Sequence, residues 1–333
     1  MTFFDRIQYL IQEKKAFVLY RKPTEKNVFF IKENNGSQRF IFVSFDQKQL
    51  LTINYQEAID VTQEMKNSFD KLHLYSNNTT NKNITQEDYY TLIEKSLAFI
   101  KKNTFSKVVL SRNITIDATI NLLDSYKKML ANYPNAYNYC WYHPESGIWI
   151  GATPETLVNI KENQLHTVSL AGTKSLEEDW TEKEMIEQQV VTEYIVKQLT
   201  PYSENIDCKP VETITAGKFQ HLQTKITAKI KPNSIQSIVE KLHPTPAVCG
   251  IPTAITQSYI QENEGYDRKF YAGYLGEISE NSASLYVNLR CAEVKDNQVI
   301  IYVGGGINYL SEPEKEWKET QMKAETIHSI LVE

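Results

Sequence analysis

The chain has 333 residues and a mass of 38.5 kDa, with 41% hydrophobic and 23% charged residues. These proportions belong to an ordinary globular protein and exclude a disordered or fibrous one. Thirty-six Lys and Arg against 41 Asp and Glu give a net charge of −5, which excludes a general pull toward nucleic acid or anionic lipid.

The first 75 residues read as a helix followed by short strands at Ala16–Tyr20, Val28–Ile31, Arg39–Ser44 and Leu50–Asn54. Turn signals such as Asn34-Asn-Gly36 separate them. The run Ser76-Asn-Asn-Thr-Thr-Asn-Lys-Asn83 is the most polar stretch and the best candidate for a loop or boundary. It divides a divergent part, 1–83, from the motif-bearing part, 84–333. Thr85 then reads as an N-cap, with Tyr89, Ile93, Leu97 and Ile100 at helical spacing behind it.

Further strands are expected at Ser106–Ile116, Tyr137–His143, Gly147–Ile150, Thr156–Ile160, Gln164–Ser169, Ser284–Glu293 and Gln298–Val303. Helices are expected at Ile120–Tyr133, Glu182–Leu199, Ser234–Leu242, Thr253–Asn263 and Glu312–Leu331. Thr181-x-x-Glu184 and Ser311-x-x-Glu314 read as capping boxes. Two hairpins, Gly147–Ile150 with Thr156–Ile160 and Ser284–Glu293 with Gln298–Val303, argue for largely antiparallel sheets. One α/β unit spanning 1–333 is expected.

Cys140, Cys208, Cys249 and Cys291 never approach C-x-x-C spacing, so reduced thiols are expected and a zinc or redox centre is not. No apolar run reaches membrane-spanning length, and the charges in Met1-Thr-Phe-Phe-Asp-Arg6 come too early for a secretion signal. A cytoplasmic monomer is the expectation.

Several short motifs carry chemistry. Glu316, Glu319 and Lys323 share one helix face, and two carboxylates on a rigid face suit a hard cation such as Mg²⁺; the same pattern also describes a solvated helix with an i,i+4 pair. Glu187 lies one turn into its helix, where it either faces a cleft or complements the helix dipole. Glu155, in the tight turn Gly151-Ala-Thr-Pro-Glu155, is either a turn glutamate pointing into water or a rigidly held general acid if burial raises its pKa. Lys107 opens an apolar strand that Arg112 closes. A lysine there either snorkels at a sheet edge or points inward, where it must be paired or have a depressed pKa, the latter making it a candidate base. Val303-Gly-Gly-Gly-Ile307 and Leu170-Ala-Gly-Thr173 are either plain turns or places where backbone amides meet a small anion. Only six of the 36 cations are Arg, so Arg290 is a candidate for bidentate carboxylate capture.

In combination these motifs are specific. Lys107-Val-Val-Leu-Ser-Arg, Gly151-Ala-Thr-Pro-Glu, Leu170-Ala-Gly-Thr, Glu187-Gln-Gln-Val-Val, His221-Leu-x-Thr, Leu242-His-Pro-Thr-Pro-Ala, Tyr271-Ala-Gly, Leu289-Arg-Cys-Ala, Gly304-Gly-Gly-Ile and Glu316-Trp-x-Glu-Thr-x-x-Lys323 occur in that order. The series resembles the chorismate-utilising family of isochorismate, anthranilate, aminodeoxychorismate and salicylate synthases, from about residue 90 to 330. The resemblance implies a single large domain in which two mainly antiparallel sheets pack together with helices outside.

Within that family, His243-Pro-Thr-Pro-Ala247 is similar to the isochorismate synthase version. Lys107 stands where ammonia-using members typically carry Gln, and Ala171 stands where aminodeoxychorismate synthases often carry a nucleophilic Lys. Two departures are Gln188, where His is common, and Cys249, where Gly is frequent. The resemblance implies Mg²⁺-dependent conversion of chorismate to isochorismate, with Lys107 as base and Glu155 as acid. Glu187 and Glu319 would hold the metal with Glu316 outside them. Arg290, Lys323 and the segments around Ala171, Gly172, Thr173 and Gly305 would receive the substrate, with His243 and Thr245 positioning it. A salicylate synthase using the same residues, or a silent chorismate-binding subunit, are the alternatives.

Overall fold

The computed structural model describes residues 2–66, 83–216 and 219–332. The polar stretch expected as a boundary lies outside the described residues except for Asn83.

Helix α1 (Phe3–Gln12) starts with a capping box in which Thr2 accepts from the Asp5 amide and Asp5 reaches back to the Thr2 amide. Strands β1 (Phe17–Arg21), β2 (Phe29–Lys32), β3 (Gln38–Val43), β4 (Leu50–Tyr55) and β5 (Ile59–Asp60) follow, then the short helix α2 (Thr62–Lys66). Helix α3 (Gln86–Lys101) is capped by Thr85 as expected. After it come β6 (Lys107–Asp117), α4 (Leu122–Asn132), β7 (Tyr137–His143), β8 (Gly147–Thr153), β9 (Thr156–Lys161) and β10 (Gln164–Ser175). Helix α5 (Glu182–Leu199) precedes β11 (Ser203–Cys208), β12 (Glu212–Ala216) and β13 (Phe219–Ile230). The chain closes with α6 (Ile235–Leu242), β14 (Gly250–Ile251), α7 (Thr253–Asn263), β15 (Tyr274–Ile278), β16 (Ser282–Val287), β17 (Cys291–Val294), β18 (Gln298–Ile307) and α8 (Pro313–His328).

These strands form two nine-stranded sheets. One runs β14-β6-β18-β17-β8-β7-β1-β2-β5, the other β11-β13-β10-β9-β16-β15-β3-β4 with β12 added beside β13. Every described pairing is antiparallel, including the long β6–β18 and β10–β13 ladders. Strand alternation sends Tyr139, Trp141 and Trp149 inward, where they meet Phe40 and Phe42 of the facing sheet. The alternate residues Cys140, Tyr142, Ile148 and Ile150 point outward, into a second core with Phe4 and Ile7 of α1, Tyr126 of α4 and Ile327 of α8. Helices α5 and α6 bury Val191, Ile195, Ile238 and Val239 against the other sheet. No described helix is long and apolar enough to cross a membrane.

Three sequence expectations need correction. The hairpin of Gly147–Ile150 with Thr156–Ile160 does not exist: β8 pairs with β7 and β17, whereas β9 pairs with β10 and β16. Pro154, which cannot donate to a ladder, and Glu155 carry the chain from one sheet to the other. The expected strand Ser284–Glu293 likewise divides into β16 and β17, one in each sheet, with Asn288, Leu289 and Arg290 crossing between them. Its hairpin with β18 survives only through β17. Finally, Ser311 is not a cap. Pro313 occupies the first turn of α8, so the N-cap falls on Glu312, and Ser311 instead accepts from the Asn308 amide. Strands β11 to β13 and β15 went unread in the sequence.

The two sheet crossings support each other. The Val287 amide donates to Glu155 O at 3.0 Å, and the Ala152 amide donates to Arg290 O at 3.0 Å. Arg290 holds φ at +48°, a left-handed conformation that costs a non-glycine residue about 1–3 kcal/mol and needs a surrounding structure to enforce it.

A buried ion pair braces the neighbouring strand. Arg268 Nε donates to Glu264 at 2.8 Å, while its two terminal nitrogens donate to Val248 O and Val109 O. Glu264 in turn accepts from the Ser111 amide at 2.6 Å. Arg268→Ala would strand a buried carboxylate and two carbonyls, so a loss of about 3–5 kcal/mol is expected in denaturant unfolding. An effect under about 1 kcal/mol, the range of an exposed pair, would contradict this reading.

Candidate active site

One cavity opens between the sheet crossings, the start of β6, β10, β13, β18 and the helices α5 and α8. Lys107, Glu155, Ala171, Gly172, Glu187, Arg290, Gly305, Glu319 and Lys323 all line it. The set runs from residue 107 to residue 323, and the β6–β18 ladder and the two crossings bring its members together.

The acid and base candidates are both enclosed. Glu155 is 5% exposed and Lys107 4%. Burial pushes the Glu155 carboxyl up to about 8, against the opposing pull of Lys107 and Lys323. Burial lowers the Lys107 ammonium from its usual value, against Glu187, which favours the charged form. Glu155 therefore holds a proton at neutral pH, and Lys107 gives one up more readily than a solvated lysine.

Three carboxylates converge over the glycine strand. The run Gly304-Gly-Gly306 is not a turn but part of β18, opposite Ser111, Leu110 and Val109 of β6. A Cβ on Gly306 would come within 3.1 Å of Glu187 Oε1 and 3.0 Å of Lys107 Cε; one on Gly305 would lie 3.3 Å from Glu316 Oε2. A side chain at either position would crowd these charged groups and make them give by a few tenths of an ångström. Glu316 itself is almost fully buried behind the cavity wall.

Two lysines stand among these carboxylates. Lys183 Nζ lies 2.8 Å from Glu316 and 3.7 Å from Glu187, and Lys323 Nζ donates to Glu319 at 2.5 Å and to Gly304 O at 3.0 Å. Burial disfavours the Lys183 charge, but Glu187 and Glu316 outweigh it and raise its pKa. Burial would raise Glu319, yet Lys323 and Lys183 hold it below the usual carboxylate value. Glu316 moves the other way, to about 7, because burial exceeds the pull of Lys183.

Other expected residues lie elsewhere. His243 does not line the cavity; its Nε2 meets Phe45 O at 3.1 Å, its ring packs edge-on to Tyr274, and burial lowers its pKa to about 4. Thr245 is buried but likewise absent from the cavity wall. The Thr173 side chain lies outside the described part, although its backbone continues β10 opposite His221. Arg112 is structural: its Nε donates to Thr320 and its guanidinium stacks 3.9 Å over Trp317.

His221 does line the cavity, with Nδ1 3.1 Å from Gly172 O. Burial, then Arg290 and Lys323, push its pKa down to about 3, so the ring is neutral. The sequence reading quoted His221 and Tyr271 only as parts of motifs and did not single out Lys183. Strand alternation across His221-Leu-Gln-Thr224, with Leu222 and Thr224 on one face and His221 on the other, would have been the available signal for His221.

The carboxylates offer what a hard divalent cation takes. Glu187 Oε1 and Glu316 Oε2 are buried without a hydrogen-bond donor, and all three ligand candidates are oxygen donors. Among the described residues no three such side chains close into one ligand cluster, and Lys183 lies against both Glu187 and Glu316. For both to reach one ion, this ammonium must give way.

Comparison with known proteins identifies the family. A family model for chorismate binding enzymes matches residues 26–332. Isochorismate synthase MenF of Haemophilus influenzae is 31% identical over 256 residues, covering 72% of this chain and 60% of the relative's length. Isochorismate synthase EntC of Escherichia coli is 29% identical, covering 74% of this chain and 67% of its own. The solved structure of Escherichia coli MenF superimposes with a TM-score of 0.81 at 21% identity, covering 98% of this chain and 91% of that one. Anthranilate synthase component I of Streptococcus pneumoniae superimposes at 0.71 and 19% identity, covering 94% and 92%; both have the same two-sheet fold. With its family motifs gathered around one cavity, the chain belongs to the chorismate binding enzyme family.

Proposed function

We propose that this protein is an isochorismate synthase, converting chorismate to isochorismate by adding water at C2 and expelling the C4 hydroxyl. The observation that carries the reading is the opposed pair in one enclosed cavity: a carboxyl kept protonated and a lysine whose charge is disfavoured. Water is a poor nucleophile, so Lys107 accepts its proton as the bond to C2 forms. Hydroxide is a poor leaving group, so Glu155 donates a proton to the C4 oxygen as it departs. The two transfers leave the substrate's net charge unchanged.

Chorismate carries two carboxylates, and the cavity offers cations for both. Arg290 and Lys323 enter its wall from different elements, and Arg290 suits bidentate capture of the enolpyruvyl carboxylate. Glu187 and Glu319, with Glu316 behind them, would hold Mg²⁺, which supplies positive charge for the ring carboxylate. The neutral His221 ring and the Ala171–Gly172 wall complete the enclosure.

The test is to incubate the purified protein with chorismate, with and without Mg²⁺, and separate the products by chromatography. Isochorismate formed only with Mg²⁺ is expected. Salicylate with pyruvate would replace the reading with a salicylate synthase, and unconverted chorismate that still raises the melting temperature would replace it with a silent binding subunit. Arg290→Ala is expected to raise the KM for chorismate at least about tenfold, the value of one charge-assisted hydrogen bond lost to a carboxylate. An unchanged KM would remove Arg290 from the substrate site.

A further inference from the structure

Gln188 follows the cavity-facing Glu187 on α5 but points toward β10 instead. Strand β10 is paired along its whole length on one side by β13, whereas on the other side β9 stops at His166, opposite Asn159. Beyond that point the open edge of β10 is covered by α5, and Gln188 meets it. Gln188 Oε1 accepts from the Ala171 amide at 3.0 Å, and Nε2 donates to Ser169 O at 3.1 Å and Ser169 Oγ at 2.8 Å. One carboxamide thus satisfies an N–H and a C=O that a neighbouring strand would otherwise have taken. Nε2 also lies 3.1 Å from Thr224 Oγ1 on β13, opposite Ser169.

This contact falls where β10 is least regular. The β10–β13 register shifts between Ala171 and Thr173. Gly172 sits at the shift with φ +72°, and a Cβ there would meet Glu184 Cβ of α5 at 2.9 Å. Gly172 O then receives His221 Nδ1. Three parts of the cavity wall, namely Glu187, the Ala171–Gly172 segment and His221, are therefore tied together through a buried side chain that itself lies outside the wall.

We propose that Gln188 is a positioning residue, its carboxamide replacing the missing strand at the edge of β10 so that the irregular Ala171–Gly172 wall stays in place against α5. The role as a wall for chorismate rests on the function proposed above; the placement of the strand does not.

Gln188→Met keeps the volume and removes the amide. Hydrogen exchange of the Ala171 amide is expected to accelerate roughly tenfold or more relative to β18, because both edge groups lose their only side-chain partner. In turnover, the KM for chorismate should rise about tenfold with kcat changed far less, the pattern of lost ground-state placement. Unaltered Ala171 exchange, or equal acceleration across β6 and β18, would overturn the proposal, as would a fall in kcat at constant KM. If Gln188→Met does not fold, Thr224→Val and Ser169→Ala test the same amide with smaller local acceleration at Ala171 expected, and no local effect in either would overturn it. The exchange measurement needs no turnover, so it stands even where wild type leaves chorismate unconverted.

Discussion

Lys107→Ala is expected to lower chorismate turnover by about 10²- to 10⁴-fold, the usual contribution of a placed general base, with the fold retained. Lys107 opens β6 and is enclosed between β14, which pairs with it through Ile251, and the cavity. Its side chain lies over Gly306, where Glu187 also comes close. Removing it leaves water in the cavity without a group to accept its proton, while the β6–β18 ladder is unaffected. Circular dichroism and a thermal melt check the fold, and product chromatography checks the turnover. Wild-type turnover in this variant would exclude Lys107 as the base.

Glu155→Gln is expected to produce two effects of opposite sense. Turnover falls by a similar factor, since an amide cannot protonate the departing hydroxyl. Stability rises, and the sign follows from linkage. The folded carboxyl holds its proton up to about pH 8, whereas the unfolded one releases it near 4.3. Between these values the unfolded state binds fewer protons, so wild-type stability declines as pH rises through that window. Glutamine has no proton to lose. The melting temperature of Glu155→Gln should therefore match wild type near pH 4.5 and exceed it increasingly toward pH 8. The wild-type rate should fall above about pH 8 as Glu155 ionises. A variant no more stable at pH 8 than at pH 4.5, relative to wild type, would show that Glu155 is already ionised in the folded protein.

Local patterns in the chain were enough to place most helices and the existence of most strands. The Thr85 cap, the α5 start and the α7 boundaries depend on contacts within a turn or two, and such contacts are written in neighbouring residues. Lys107, Glu155, the three glutamates, Arg290 and Lys323 were singled out as candidates because a series of short motifs kept its order along the chain. That order named the residues without giving their arrangement.

Partners across the fold decided the rest. A period of two shows that residues 147–160 and 284–293 are extended, but not that each run leaves one sheet for the other at Glu155 and Arg290. That switch is set by which strands, some more than a hundred residues away, lie alongside. His221 and His243 have similar local sequence claims, yet β13 carries one into the cavity while Phe45 holds the other outside it. Lys183 gained importance only when α5 and α8 met and set it between two glutamates. Proton affinities followed the same rule: burial raises that of Glu155 above the opposing pull of Lys107 and Lys323, whereas Lys323 and Lys183 outweigh burial at Glu319 and lower it. Residue types and their order are local properties of a chain, whereas enclosure, electrostatic field and strand partnership arise only when distant segments pack.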